Sequence, residues 1–101
     1  MSEKLKKDTA YKTAYLNGKT VLFTADASHG FPDIVGDIRE GHVIGTSDKE
    51  RSSLICFGVG HHSLTNPVSF DDILAVADKA NGKQSTFGRF SGTYVDLKKL
   101  T

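Results

Sequence analysis

A single cysteine, Cys56, two prolines and no tryptophan stand in this chain of 101 residues, and each scarcity removes a class of protein. One thiol cannot close an internal disulfide, so a small secreted domain held by disulfides is excluded and a reducing, cytoplasmic setting is the expectation. Charge of one sign is scarce as well. Against 12 acidic residues stand 13 basic ones, and the formal net charge of +1 sets up no general field to draw nucleic acid or an acidic lipid surface. No apolar run approaches the roughly 18 to 20 residues that cross a bilayer, and the charged start of the chain has no apolar stretch behind it to act as an export signal. No membrane partner is expected. Also missing are C-x-x-C, H-E-x-x-H, G-x-S-x-G and the phosphate-binding P-loop, so the common metal, hydrolase and nucleotide signatures give no lead.

What remains is an ordinary globular composition, 38% hydrophobic and 25% charged, at a length that suits one domain. Residues 1–10 are expected to form a flexible basic tail, since Lys4, Lys6 and Lys7 surround one large aliphatic side chain, Leu5. Residues 11–101 then make a single globular domain. Asn17 and Gly18, between two β-prone runs, predict a two-residue hairpin turn. Residues 24–32 read as a loop, and Gly41 beside Glu40 predicts a turn between two short strands within residues 33–46. The nearly continuous apolar run Leu54, Ile55, Cys56, Phe57 and Val59 predicts a central strand over residues 52–59, covered on both faces. Ser69 as a cap, Asp71 and Asp72 behind it, then Ile73, Leu74, Ala77 and Ala80 predict a helix over about residues 70–81 that ends at Gly82. The segment 86–97 returns to strand composition. The expected fold is therefore α+β and β-rich: an N-terminal β-hairpin, a small antiparallel or mixed sheet, one helix packed on it and a closing C-terminal strand.

Chemistry-bearing side chains gather in two places. The first is the sequence Cys-Phe-Gly-Val-Gly-His-His-Ser, in which a strand gives way to a loop bearing His61, His62 and Ser63. His29 lies in another loop that also follows a strand-like segment, and the two loops are expected at one end of the sheet, forming a shallow polar pocket. A metal site would draw on His29, His42, His61, His62 and Cys56 with Asp26, Asp33 and Asp37, but their spacing matches no ligand pattern, and neighbouring residues of a strand face opposite ways. No metal and no cofactor are expected. Cys56 sits in an apolar run, where a thiol more commonly packs than reacts. Gly58 and Gly60 lack the third glycine and the immediate helix of a dinucleotide-binding turn. The second place is Phe87, Arg89, Phe90 and Tyr94, in which aromatic and basic residues alternate as they do on sheets that stack nucleobases, although packing is the more ordinary use of such rings.

With no complete catalytic pattern, the expectation is a non-enzymatic interaction module, such as a small inhibitor, adaptor or assembly subunit, whose partner is another protein or a second copy of itself in a homo-oligomer. Its candidate binding residues are His29, His61, His62, Ser63, Arg89, Phe90 and Tyr94. Two alternatives stand beside it: a small ligand-binding or metal-dependent enzyme built on histidine and aspartate, and a binder of RNA or single-stranded DNA that uses the aromatic and basic C-terminal strand.

Overall fold

Alternating and continuous runs of β-branched and aromatic residues produce strands along much of this chain, and among the described residues α-helix occurs only near its beginning. The computed structural model describes residues 5–26, 30 and 32–100. Among them, α1 (Lys7–Ala10) and α2 (Thr13–Leu16) precede an antiparallel sheet of seven strands. These are β1 (Thr20–Thr24), β2 (Ile38–Ser47), β3 (Ser52–Val59), β4 (His62–Ser69), β5 (Ile73–Ala77), β6 (Lys83–Phe87) and β7 (Phe90–Asp96). Their order across the sheet is β4-β3-β2-β1-β5-β7-β6. The α+β, β-rich class expected from the sequence is the one observed. No helix among the described residues is long and apolar enough to cross a membrane.

The link from β4 to β5 requires the sheet to curl. In a flat sheet β4 and β5 would stand four strand spacings of about 4.8 Å apart, roughly 19 Å. The four-residue step from Ser69 to Ile73 reaches at most about 14 Å. Irregularities in the ladders, between Val43 and Gly45 in β2 and between Leu22 and Phe23 in β1, provide the bends. The enclosed first face holds the main core: Val21 and Phe23 of β1, Val43, Ile55 and Phe57, Val68, Ile73 and Val76, closed over by Ala10, Leu16 and Leu97. Phe23 meets Phe57 edge-on at 5.0 Å, and Tyr11 stacks on Phe70 at 4.9 Å.

Several expected elements are corrected by this arrangement. Residues 70–81 do not form a helix. Ser69 does cap, accepting from the Asp71 N–H at 3.3 Å, but the capped turn is a single 3-10 turn (Phe70–Asp72) that runs directly into β5. Ile73, Ala75 and Val76 are all buried because β5 has neighbours on both faces, and a strand covered on both faces has a continuous apolar run that helical spacing also fits. Gly82 follows a tight turn, where an added Cβ would lie 2.6 Å from the Asp78 carbonyl oxygen and 2.9 Å from the Tyr94 backbone, and only glycine fits. The N-terminal hairpin is absent too. Asn17 and Gly18 end α2, with Gly18 at φ 82°, since a left-handed glycine serves a helix C-terminus as well as a hairpin turn. Gly41 makes no turn but lies buried inside a ten-residue β2, because its missing side chain leaves room for Ile55 and Phe23.

The strand expected at residues 52–59 is present, but it lies one place from the edge and alternates: Ser53, Ile55 and Phe57 are buried while Leu54 is exposed. The strands buried on both faces are β1 and β5. Of the residues assigned to the tail, Leu5 packs against the main core and Ala10 lies fully inside it.

Candidate functional site

Both hairpin turns that carry candidate residues use the same device. In each, a glycine of positive φ, Gly60 at 60° or Gly88 at 59°, occupies the first of two turn positions and a polar residue, His61 or Arg89, the second. Glycine first is the requirement of a type II′ turn, which matches the twist of the flanking strands and displays the second side chain to solvent. His61, His62, Ser63 and Arg89 are accordingly exposed. His62 pairs with Val59 and Ser63 with Gly58, so these two side chains leave β4 on opposite faces.

The two turns are brought into one neighbourhood by the start of β2. Beyond the end of β5, the β6–β7 hairpin folds over the second face of the sheet, where Phe87, Phe90 and Tyr94 pack with Leu22, Ala75 and Ile38 in a smaller core. Its turn then lies across from Asp37, Ile38 and Arg39, and the two segments border an open cleft of about 340 Å³ lined also by Phe87, Arg89 and Phe90. One terminal nitrogen of Arg39 donates to the Gly58 carbonyl at 2.9 Å, which ties this cleft to the histidine-bearing turn. β1 and β3 both run antiparallel to β2, so the connection after β1 leaves from the same end as the β3–β4 turn. His29, which belongs to that connection, lies outside the described residues.

The aromatic rings of the C-terminal hairpin are engaged within the fold. Tyr94 is 8% exposed, and its hydroxyl donates to Glu40 Oε2 at 3.1 Å. Burial, and then the neighbouring Glu40 carboxylate, raise the Tyr94 pKa above its ordinary value. Phe87 meets Tyr94 edge-on at 6.1 Å, and the Arg89 guanidinium lies 5.3 Å from the centre of the Phe90 ring. Neither Arg39 nor Arg89 has a carboxylate partner among the described residues. Within the same residues no group of three or more His, Cys, Asp or Glu could hold a metal ion; His42 and Cys56 sit opposite one another across β2 and β3, with Cys56 half-buried on the second face.

A different surface lies on the second face of β2, β3 and β4, and sequence reasoning missed it. Leu54 pairs with Gly45 of β2 and faces Pro67 of β4, and Ile44, left without a ladder partner at the bulge, precedes Gly45. Ile44 is 54% exposed and Leu54 40%. The sequence signal for this surface is weak: Leu54 lies inside an apolar run that reads as core, and Ile44, turned outward by the alternation of β2, stands next to the buried Val43 in an apolar pair. Arg39 was missed for another reason: nothing local announces that residue 39 will meet residue 89. No protein-family model matches the chain, and no curated protein or solved structure does.

Proposed function

We propose that this protein is a non-enzymatic interaction module that assembles with a second copy of itself through the edge of β4 and the adjoining second face of β2 and β3. The observation that carries this reading is the pair Ile44 and Leu54, two large exposed apolar side chains on neighbouring strands, in a half of the sheet that nothing among the described residues covers. Beside them runs an edge strand of eight residues in unbroken register with β3, carrying no Lys, Arg, Asp or Glu. Free edges are ordinarily guarded by charge, bulges or shortness, because their unpaired N–H and C=O groups accept another strand. Pro67 is the one guarding residue in β4. The opposite edge, β6, is five residues long and opens with Lys83.

The absence of charge also favours a second copy as the partner. Two β4 strands paired antiparallel about a two-fold axis meet with no like charges opposed, and Thr65 and Asn66, at the middle of the strand, fall near the axis. Ile44 and Leu54 from both copies, already about half buried, would contribute roughly 3–6 kcal/mol on complete burial. That is close to the lowest estimates of the cost of association, about 4 kcal/mol, so the assembly depends on concentration and needs the strand hydrogen bonds as well.

Light scattering on a sizing column across a concentration series tests the reading. The wild-type protein should pass from monomer to dimer, and Thr65→Lys, which sets two ammonium groups near the axis, should remain monomeric with an unchanged melting temperature. A wild-type protein that is monomeric throughout, or a Thr65→Lys variant that dimerises equally well, overturns it. For the nucleic-acid alternative the two arginines of the cleft are the supporting feature, whereas the burial of Tyr94 and the cover of Arg89 over Phe90 leave few ring faces on which a base could stack.

A further inference from the structure

The cleft between the start of β2 and the β6–β7 turn has a charge arrangement that the assembly reading does not use. We infer that it is a binding site for a small organic carboxylate, with the anionic group held between Arg39 and Arg89 and an apolar or aromatic body laid on Ile38, Phe87 and Phe90. Three observations converge on that chemistry.

First, the two guanidinium groups come from opposite walls and neither is neutralised by a carboxylate among the described residues. Arginine cannot shed its charge, so two of them on a partly apolar cleft leave a demand for an anion. Second, both are held in place. Arg39, half-buried, is anchored through its bond to the Gly58 carbonyl, which leaves its remaining donors free, and Arg89 is held over the Phe90 ring from the second position of a tight turn. A planar fork fixed beforehand loses little freedom when it receives a carboxylate. Third, the floor is ready-made: Ile38, Phe87 and Phe90 are half-buried members of the smaller core and present their remaining surface to the cleft.

Size and charge narrow the class further. About 340 Å³ lies at the small end of ligand pockets, which run from roughly 300 to 1,000 Å³. Asp37 on the β2 wall reduces the local charge from two positive groups to a net of one, which suits a monoanion and disfavours a doubly charged phosphate ester. The inference is independent of self-association, because the cleft and the β4 edge are formed by different side chains.

The test is titration of the Thr65→Lys protein with benzoate, followed by amide chemical shifts, with phenyl phosphate, inorganic phosphate and benzylamine as comparison probes. Benzoate should bind saturably and shift the amides of residues 36–39 and 87–90, benzylamine should not bind, and benzoate affinity should fall at least tenfold in Arg89→Ala and in Arg39→Gln. Arg89→Lys should keep part of the affinity, since it retains the charge and loses the fork. Absence of saturable benzoate binding overturns the inference, as does binding that survives both arginine substitutions. Tighter binding of phenyl phosphate or of inorganic phosphate than of benzoate overturns the carboxylate assignment. Because the titrated protein is the variant designed to be monomeric, failure here leaves the dimer reading standing, and a failed dimer reading leaves this titration unaffected.

Discussion

Two leucines on the same face of the same sheet have opposite fates. Leu22 in β1 is fully buried beneath the β6–β7 hairpin, while Leu54 in β3, two strands away, is 40% exposed. Both lie in strands whose first face is packed in the main core. The difference is that one half of the second face is roofed by the chain's own C-terminal hairpin and the other half has no roof among the described residues. Among the described residues one side of the sheet is packed and part of the other is bare, and the self-assembly proposed for this protein would cover that bare part.

The comparison can be broken most directly at its two leucines. Leu22→Ala should cost about 2–5 kcal/mol in denaturant unfolding, because it opens a cavity under the hairpin. Leu54→Ala should cost under about 1 kcal/mol to the monomer, and a loss equal to that of Leu22→Ala would mean that the bare half is covered after all. A smaller effect is expected from Tyr94→Phe, which removes the bond to Glu40 from the roof and should lower stability by about 0.5–1.5 kcal/mol.

The roof also sets a response to pH. Tyr94 has its pKa raised by burial and by Glu40, so the stability it contributes is complete below the ordinary tyrosine value of 10.0 and is lost as pH rises through the higher folded value. Tyr15 behaves likewise: burial first and the Asp78 carboxylate second raise its pKa, although the hydroxyl makes no hydrogen bond of good geometry, and we read the two groups as close neighbours and not as a well-formed pair. Asp78 titrates at the other extreme. Partial burial raises its pKa, but the nearby Tyr15 hydroxyl and hydrogen bonds from the Asn81 side chain and the backbone N–H groups of Ala80 and Asn81 outweigh that and lower it below 3.8. Its contribution is therefore present above pH 3.8 and fades on acidification. In stability measured from pH 2 to 12, Tyr94 should add to the slope only on the alkaline side of 10.0 and Asp78 only on the acid side of 3.8. Tyr94→Phe should lessen the alkaline loss and Asp78→Asn the acid loss; unchanged slopes in both variants would detach these groups from the fold's pH response.

The sequence made much of this molecule legible, and the failures share a cause. The bounds of β3 and the presence of a closing strand, β7, follow from β-branched runs and glycine punctuation, whereas its partner β6 was not foreseen. The helix expected at residues 70–81 came from Ile73, Leu74 and Ala77, whose spacing fits a helix face and equally a strand buried on both sides; only the neighbours of β5 decide, and they lie far away in the chain. Gly18, Gly41 and Gly82 were each recognised as special, yet the reason differed at every one, because a left-handed helix end, a close approach of Ile55 and a turn against Tyr94 all demand the same residue. At the site, Arg89 and Phe90 stood out through local composition. Their association with Arg39 depends on how far the hairpin folds over the sheet, and the bareness of the face that Ile44 and Leu54 share depends on which half the hairpin roofs. Neither is written in a local pattern.

The two edges of the sheet offer the decisive contrast. Amide hydrogen exchange, followed residue by residue at low and at high protein concentration, should show protection rising with concentration in β4 while β6 exchanges at the same rate throughout. Concentration-independent exchange in β4, or protection that rises in β6 instead, would contradict assembly through the uncharged edge.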